Sequence, residues 1–207
     1  MITLISKKDL IKCVKNIKDA GDTDRSVLGY SEASIIVIFI NNYNINESYI
    51  LMTQRKHNLR KHAGQIAFPG GRKEKDDKDL LETAVRETEE EISLSPENYD
   101  IIGKLPRFYT GTCYVVTPYI AIMKTSSDWK NIIKPSFEEV EKIFVPTSQE
   151  LLSPEFHIRE KPPIKSSMSM TWKINYKNEN IWGLTARVLV TISAGLGLRE
   201  YPPCDDI

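Results

Sequence analysis

Residues Asp79 to Ile92 carry two patterns at once. Leu81, Ala84, Val85, Thr88 and Ile92 form one apolar stripe at helical spacing, and Glu87, Glu90 and Glu91 fall in one sector beside it. A helix built this way must bury its stripe against another layer, which leaves three carboxylates at i, i+3 and i+4 along the seam. Such carboxylates repel one another by roughly a few tenths of a kcal/mol per pair. A divalent cation reverses that cost, and Mg²⁺ favours carboxylate oxygens together with waters and substrate phosphates. The plain alternative is a solvated acidic face of a surface helix. Arg86, just ahead of the cluster, can orient one of the carboxylates.

The segment before this helix sharpens the choice. Phe68-Pro69-Gly70-Gly71 is a tight loop whose glycines permit close backbone approach. It can set a carbonyl on a metal or an amide on a phosphate. Upstream, Ala33–Ile40 is β-branched and apolar and predicts a buried strand, Asn41–Ser48 a turn, and Tyr49–Gln54 the returning strand of a hairpin. A short strand is expected near Gln65–Ala67. Downstream, Ser95-Pro96 should stop the acidic helix, and strands are expected at Asp100–Lys104, Tyr114–Met123, Val140–Val145 and Met168–Tyr176. Ser148–Leu152 predicts a helical turn, Asn178–Asn180 a turn, and Ile181–Leu198 a long helix. Residues about 6–20 predict an amphipathic helix ended by Gly21-Asp22. Strands mixed with a few helices give an α/β or α+β class, and 207 residues suit one domain, 1–207, with a helical extension over about 1–25.

Composition excludes several functions. Lys+Arg and Asp+Glu both total 28, so no general attraction to nucleic acid or an anionic membrane is expected. The longest apolar run, Ile35–Ile40, is far too short to span a bilayer, and no signal peptide is expected at the start. Cys13, Cys113 and Cys204 lie far apart, which argues against a disulfide framework or zinc site and for a reducing, cytoplasmic compartment. His57, His62 and His157 show no mutual ligand spacing.

Residues 71–94, GRKEKDDKDLLETAVRETEEEISL, resemble the Nudix box, with Arg86, Glu87, Glu90, Glu91 and Leu94 matching. Three departures stand out. The early acid is Asp77 and lies one residue further from Arg86, Thr88 replaces an aliphatic residue, and Ser93 replaces the glycine that ends the helix. Residues 51–71, LMTQRKHNLRKHAGQIAFPGG, resemble the signature of coenzyme A pyrophosphatases through Leu51, Thr53, Arg55, Arg60, Gly64 and Phe68 to Gly71, with Met52 and Lys56 departing. Ile181 to Arg187 resembles the start of the same branch's C-terminal helix. The likeness runs from about residue 30 to 198.

The resemblance implies an α/β/α Nudix sandwich with a mixed sheet and a catalytic loop-helix-loop. It implies hydrolysis of coenzyme A or acyl-coenzyme A to 3′,5′-ADP and (acyl-)4′-phosphopantetheine, dependent on Mg²⁺ or Mn²⁺, by a monomer or homodimer. Glu87 and Glu91 would then be metal ligands, Glu90 a further ligand or the base, and Gly70 a carbonyl ligand; Glu139 resembles the later acid that many Nudix enzymes bring to the metals. Arg55, Arg60, His62, Gln65 and Gly71 are the candidate substrate residues. Arginine forks suit phosphates, and Lys56, Arg60, Lys61 and His62 form a basic patch suited to a 3′-phosphate. Structural ion pairing is the alternative for the arginines, solvated loop charge for the patch, and a core aromatic for Trp182, which otherwise suits stacking on adenine. Two rival functions remain: hydrolysis of another nucleoside diphosphate derivative, and a non-catalytic Nudix domain acting as a ligand sensor or RNA-binding module. The intact acids and zero net charge disfavour the last.

Overall fold

The run of β-branched residues after Tyr30 sets the architecture. In the computed structural model, which describes residues 4–19, 29–58, 62–125, 129–162, 169–177 and 179–202, this run is β1 (Ser31–Asn42). It returns through a four-residue turn into β2 (Glu47–Arg55), antiparallel with Ile38 opposite Leu51. Short strands β3 (Ile66–Ala67) and β4 (Gly70–Arg72) follow, pairing with β2 and β1. Helix α2 (Leu80–Ile92) crosses to β5 (Tyr99–Lys104), β6 (Phe108–Tyr109) and β7 (Tyr114–Met123). Strand β7 lies parallel to β1, from Ser31 opposite Tyr114 to Phe39 opposite Ile122. The other pairings are antiparallel, so the sheet is mixed, with order β3-β2-β1-β7-β5 and β8 (Val140–Phe144) added against β2.

Alternation along these strands feeds two cores, one on each face. Val37 and Phe39 of β1, Ile50 and Met52 of β2, and Ile120 and Ile122 of β7 point to one side. Ile36, Ile38 and Ile40, Leu51, and Ala121 and Met123 point to the other. A strand buried on both faces must be apolar at every position, which is why β1 reads as an unbroken run. Each large side chain buried here contributes about 1.5–3 kcal/mol. The first face is covered by α1 (Lys7–Asp19) and α5 (Gly183–Gly195), which meet where Asn16 Nδ2 donates to the Gly195 carbonyl at 2.9 Å. The second face is covered by α2 through Ala84 and Ile92. The result is an α+β sandwich with helices on both sides of a mixed sheet. A smaller antiparallel sheet, β9 (His157–Glu160), β10 (Thr171–Tyr176) and β11 (Glu179–Trp182), packs beside α5. Two short helices complete the chain, α3 (Trp129–Ile132) and α4 (Ser148–Leu152), the latter opened by a capping box between Thr147 and Glu150. No helix among the described residues is long and apolar enough to cross a membrane.

Three expectations are corrected. The helix expected from Ile181 begins at Gly183: Ile181 and Trp182 belong to β11, paired with Ile174 and Lys173, because ladder bonds to β10 outcompete a helical start. A short apolar run cannot by itself tell strand from helix. For the same reason Glu179 and Asn180 are strand residues; Asn178 lies outside the described residues. The acidic helix ends at Ile92, before Ser95-Pro96, because Ser93 takes the left-handed conformation (φ 54°, ψ 27°) and its N–H caps the Glu89 carbonyl at 2.8 Å. Gly21 and Asp22, expected to end the first helix, are also outside the described residues.

Candidate active site

Helix α2 is held at its entrance by Asp79, whose side chain accepts from the Leu81 and Glu82 amides. One turn before it, Asp77 is 7% exposed and gathers four donors. Arg86 reaches it twice, through Nε at 2.9 Å and Nη2 at 3.0 Å, and the Thr83 hydroxyl and Glu74 N–H complete the set at 2.9 and 2.8 Å. The Arg86 guanidinium holds the Asp77 carboxyl well below the usual carboxylate range. So anchored, Arg86 turns its remaining nitrogen to the acidic sector, with Nη1 3.1 Å from Glu87 and 3.0 Å from Glu90.

The loop before α2 is shaped to the same end. Gly70 lies at φ 146°, and a Cβ there would strike the Ser34 carbonyl and the Ile35 backbone. A Cβ at Gly71 would fall on the Glu87 carboxylate. Two glycines in succession therefore let the loop lie against both β1 and α2. The Gly70 N–H donates to Glu91 Oε2 at 3.4 Å. Glu91 is 3% exposed, and its other oxygen receives Arg55 Nη1 at 3.1 Å. Burial pushes the Glu91 carboxyl up to about 8, against the pull of Arg55, and the Glu87 and Glu139 charges add to the rise. Burial raises Glu87 too. Arg55 also reaches Glu139 Oε2 with Nη2 at 3.4 Å. Glu139 is fixed there because its carbonyl accepts from the Lys56 amide at 2.9 Å.

Beyond Glu91 opens a cavity of about 390 Å³. Arg55, His62, Gln65, Gly70 and Gly71 line it, as does Glu91. His62 Nδ1 lies 2.9 Å from Gln65 Oε1, so the two form one polar edge. Arg60 lies outside the described residues. Of the other acids, Glu87 and Glu90 lie on the same helix face and Glu139 on the far side of Arg55, so the structure gathers all four carboxylates around two guanidiniums. Among the described residues no three His, Cys, Asp or Glu side chains converge as a metal cluster while Arg55 and Arg86 are paired with the carboxylates.

Several residues were not foreseen. Asp77 sets Arg86; the acid in its box position was a signal, but its bidentate contact was not. Arg72, Tyr109, Trp172 and Arg187 line the cavity. Trp182, for which the sequence offers adenine stacking or a core position, also lines it, half-buried and outside both apolar cores. Nothing local in the sequence marks Tyr109 or Trp172, which reach the site only through the packing of two sheets.

A model of the NUDIX domain matches residues 31–166. The proteins described as Uncharacterized Nudix hydrolase NudL of Salmonella paratyphi B and Salmonella newport are each 33% identical over 151 residues, covering 72% of this chain and 76% of theirs. A solved MutT/nudix family protein from Enterococcus faecalis is similar in fold, with a TM-score of 0.53 at 12% identity over 84% of this chain and 64% of its own.

Proposed function

This chain belongs to the Nudix family, and on that premise we propose that it is a pyrophosphohydrolase dependent on Mg²⁺ or Mn²⁺, cleaving coenzyme A or an acyl derivative to 3′,5′-ADP and (acyl-)4′-phosphopantetheine. The observation that carries the hydrolytic reading is Glu91: a nearly inaccessible carboxylate at the end of a cavity, supplied with one guanidinium contact and one long amide contact. A buried carboxyl so short of donors suits a metal ligand. Glu87, Glu90, Glu91 and the Gly70 carbonyl are the groups that would hold the cation. When bound, a divalent cation neutralises diphosphate charge and lowers the pKa of a coordinated water.

The chain's own residues do the rest. Arg86, braced by Asp77, keeps Glu87 and Glu90 on one face of α2. Gly71 leaves room for the Glu87 carboxylate. Arg55 lines the cavity, and its guanidinium fork suits a phosphate oxygen. Glu139, or Glu90 where it is not itself a ligand, is the carboxylate to accept the proton of the attacking water, since their side chains are 49% and 60% exposed and reachable from solvent.

The coenzyme A reading is supported by the placement of its signature: Thr53, Arg55, Phe68, Gly70 and Gly71 all line the cavity. A second reading, another nucleoside diphosphate derivative such as ADP-ribose or a dinucleoside polyphosphate, is favoured by Lys56, where the coenzyme A pattern has a small residue. Incubation with coenzyme A and Mg²⁺ or Mn²⁺, with products separated by chromatography and weighed, decides between them. The two products named above are expected. Intact coenzyme A beside folded, metal-loaded protein would sink the coenzyme A assignment, and equal rates on coenzyme A and dephospho-coenzyme A would remove any role for the 3′-phosphate.

A further inference from the structure

Among the described residues five buried side-chain atoms find no hydrogen-bond partner: Tyr99 Oη, Tyr109 Oη, Thr117 Oγ1, Ser148 Oγ and Trp172 Nε1. Two of these five residues, Tyr109 and Trp172, line the cavity, and they are 7% and 6% exposed. They come from different layers: Tyr109 from β6 of the large sheet and Trp172 from β10 of the small one. Their neighbours cannot help. The guanidiniums of Arg199 and Arg159 lie 4.7 and 5.8 Å from the centre of the Trp172 ring, and a guanidinium has no acceptor. Tyr30 meets the Tyr109 ring edge-on at 5.7 Å, a contact between rings that leaves the phenol's hydrogen bond unmade.

An indole N–H is a donor only, and a phenol can donate. Buried donors without partners are rare in folded proteins because each weakens the fold. Two in one cavity, on walls that set Ile35, Phe68 and Val116 beside Arg72 and Arg187, mark a place where the partner arrives with the ligand. The guanidiniums behind Trp172, and those of Arg72 and Arg187 in the lining, disfavour a cation there.

We infer that Trp172 and Tyr109 are specificity residues for the part of the substrate beyond its phosphates, donating to an acceptor atom there, a carbonyl oxygen or a ring nitrogen. The inference rests on reading this cavity as the substrate site. Bound ligand would then bridge the two sheets.

The test is a ¹⁵N–¹H spectrum of the full-length protein titrated separately with pantetheine and with adenosine. Trp129, Trp172 and Trp182 give three indole signals. W172F identifies its own by loss, and W129F and W182F identify it by elimination if W172F does not fold. The Trp172 indole proton is expected to move downfield, saturably, with at least one titrant. Pantetheine would assign the acceptor to an amide carbonyl, adenosine to a base nitrogen. Y109F should weaken that ligand about tenfold. No movement with either titrant, or unaltered affinity in Y109F, overturns the inference. Neither titrant contains a diphosphate, so the outcome is independent of turnover. An indole signal that moves while coenzyme A stays uncleaved would sink the proposed reaction and leave this site standing; the reverse would do the opposite.

Discussion

Asp77 and Glu91 are two carboxylates of almost equal burial, each facing an arginine, and their chemistry runs in opposite directions. Asp77 receives two bonds from Arg86, one from a hydroxyl and one from an amide, and is held ionised well below the ordinary range. Glu91 has one guanidinium contact and one long amide contact, and burial pushes it up to about 8. Burial alone therefore does not decide the state of a buried acid; the number of donors aimed at it does. The saturated carboxylate braces the scaffold, and the undersupplied one is left to bind something else.

Removing each acid should separate these roles. The largest effect is expected from Glu91→Gln, which deletes a proposed metal ligand while removing a carboxyl whose ionisation burial opposes. Turnover should fall on the order of a thousandfold with the melting temperature unchanged or raised. Steady-state kinetics and calorimetry together would check this, and a variant that keeps its turnover would show that Glu91 is not a ligand. Glu90→Gln should lower turnover as well while leaving the buried Glu91 carboxyl in place.

Asp77→Asn should behave the other way. Leaving Arg86 without its bidentate partner should lower stability by about 2 kcal/mol and turnover roughly tenfold through misplacement of Glu87 and Glu90. If chemical denaturation showed no loss of stability, the contrast drawn between the two acids would collapse.

pH should sharpen the contrast. Glu91 ionises later in the folded protein than in the unfolded chain, whose value lies near 4.5. Its contribution to stability is therefore fully present below that value and is lost as pH rises through about 8. Asp77 is depressed, so its contribution is present above its unfolded value near 3.8 and is lost on acidification. Because a cation must displace the Glu91 proton, Mg²⁺ should raise the melting temperature more at about pH 9 than at about pH 6. Equal stabilisation at both pH values would mean that the cation does not engage Glu91. The smallest effect is expected from Ser93→Gly. It removes the strain of a left-handed serine and should stabilise the protein by about 0.5–1 kcal/mol, visible as a small rise in melting temperature at unchanged turnover.

The acidic end of the site was readable in the chain because its signals are local. Helical spacing puts Glu87, Glu90 and Glu91 on one side of α2, and paired glycines announce a loop pressed against it. The strands of the main sheet were readable for the same reason, through apolar runs and polar turns. Trp172 and Tyr109 lie 63 residues apart, in strands of different sheets, and no spacing rule links them. Hairpin β10–β11 was misread at Ile181 because its pairing partner, not its own composition, decides its conformation. Glu139 was ambiguous for a similar reason: an exposed loop acid becomes part of the site only through the distance to Arg55.

The parallel pairing of β1 with β7 has a consequence for how the protein comes into being. Ser31 must find Tyr114 and Phe39 must find Ile122, each 83 residues along the chain. The glycine loop and α2 lie wholly inside that span. Closing so long a loop is entropically costly and slow compared with forming a hairpin such as β1–β2. During synthesis, the sheet beneath α2 is incomplete until β7 has left the ribosome, Glu139 follows it, and the aromatic end waits longer still for β10 and β11. A chain stalled before β7 is complete would therefore carry the three acids of α2 without the finished sheet or Glu139, so catalytic competence should appear only late, with the closing of the sheet.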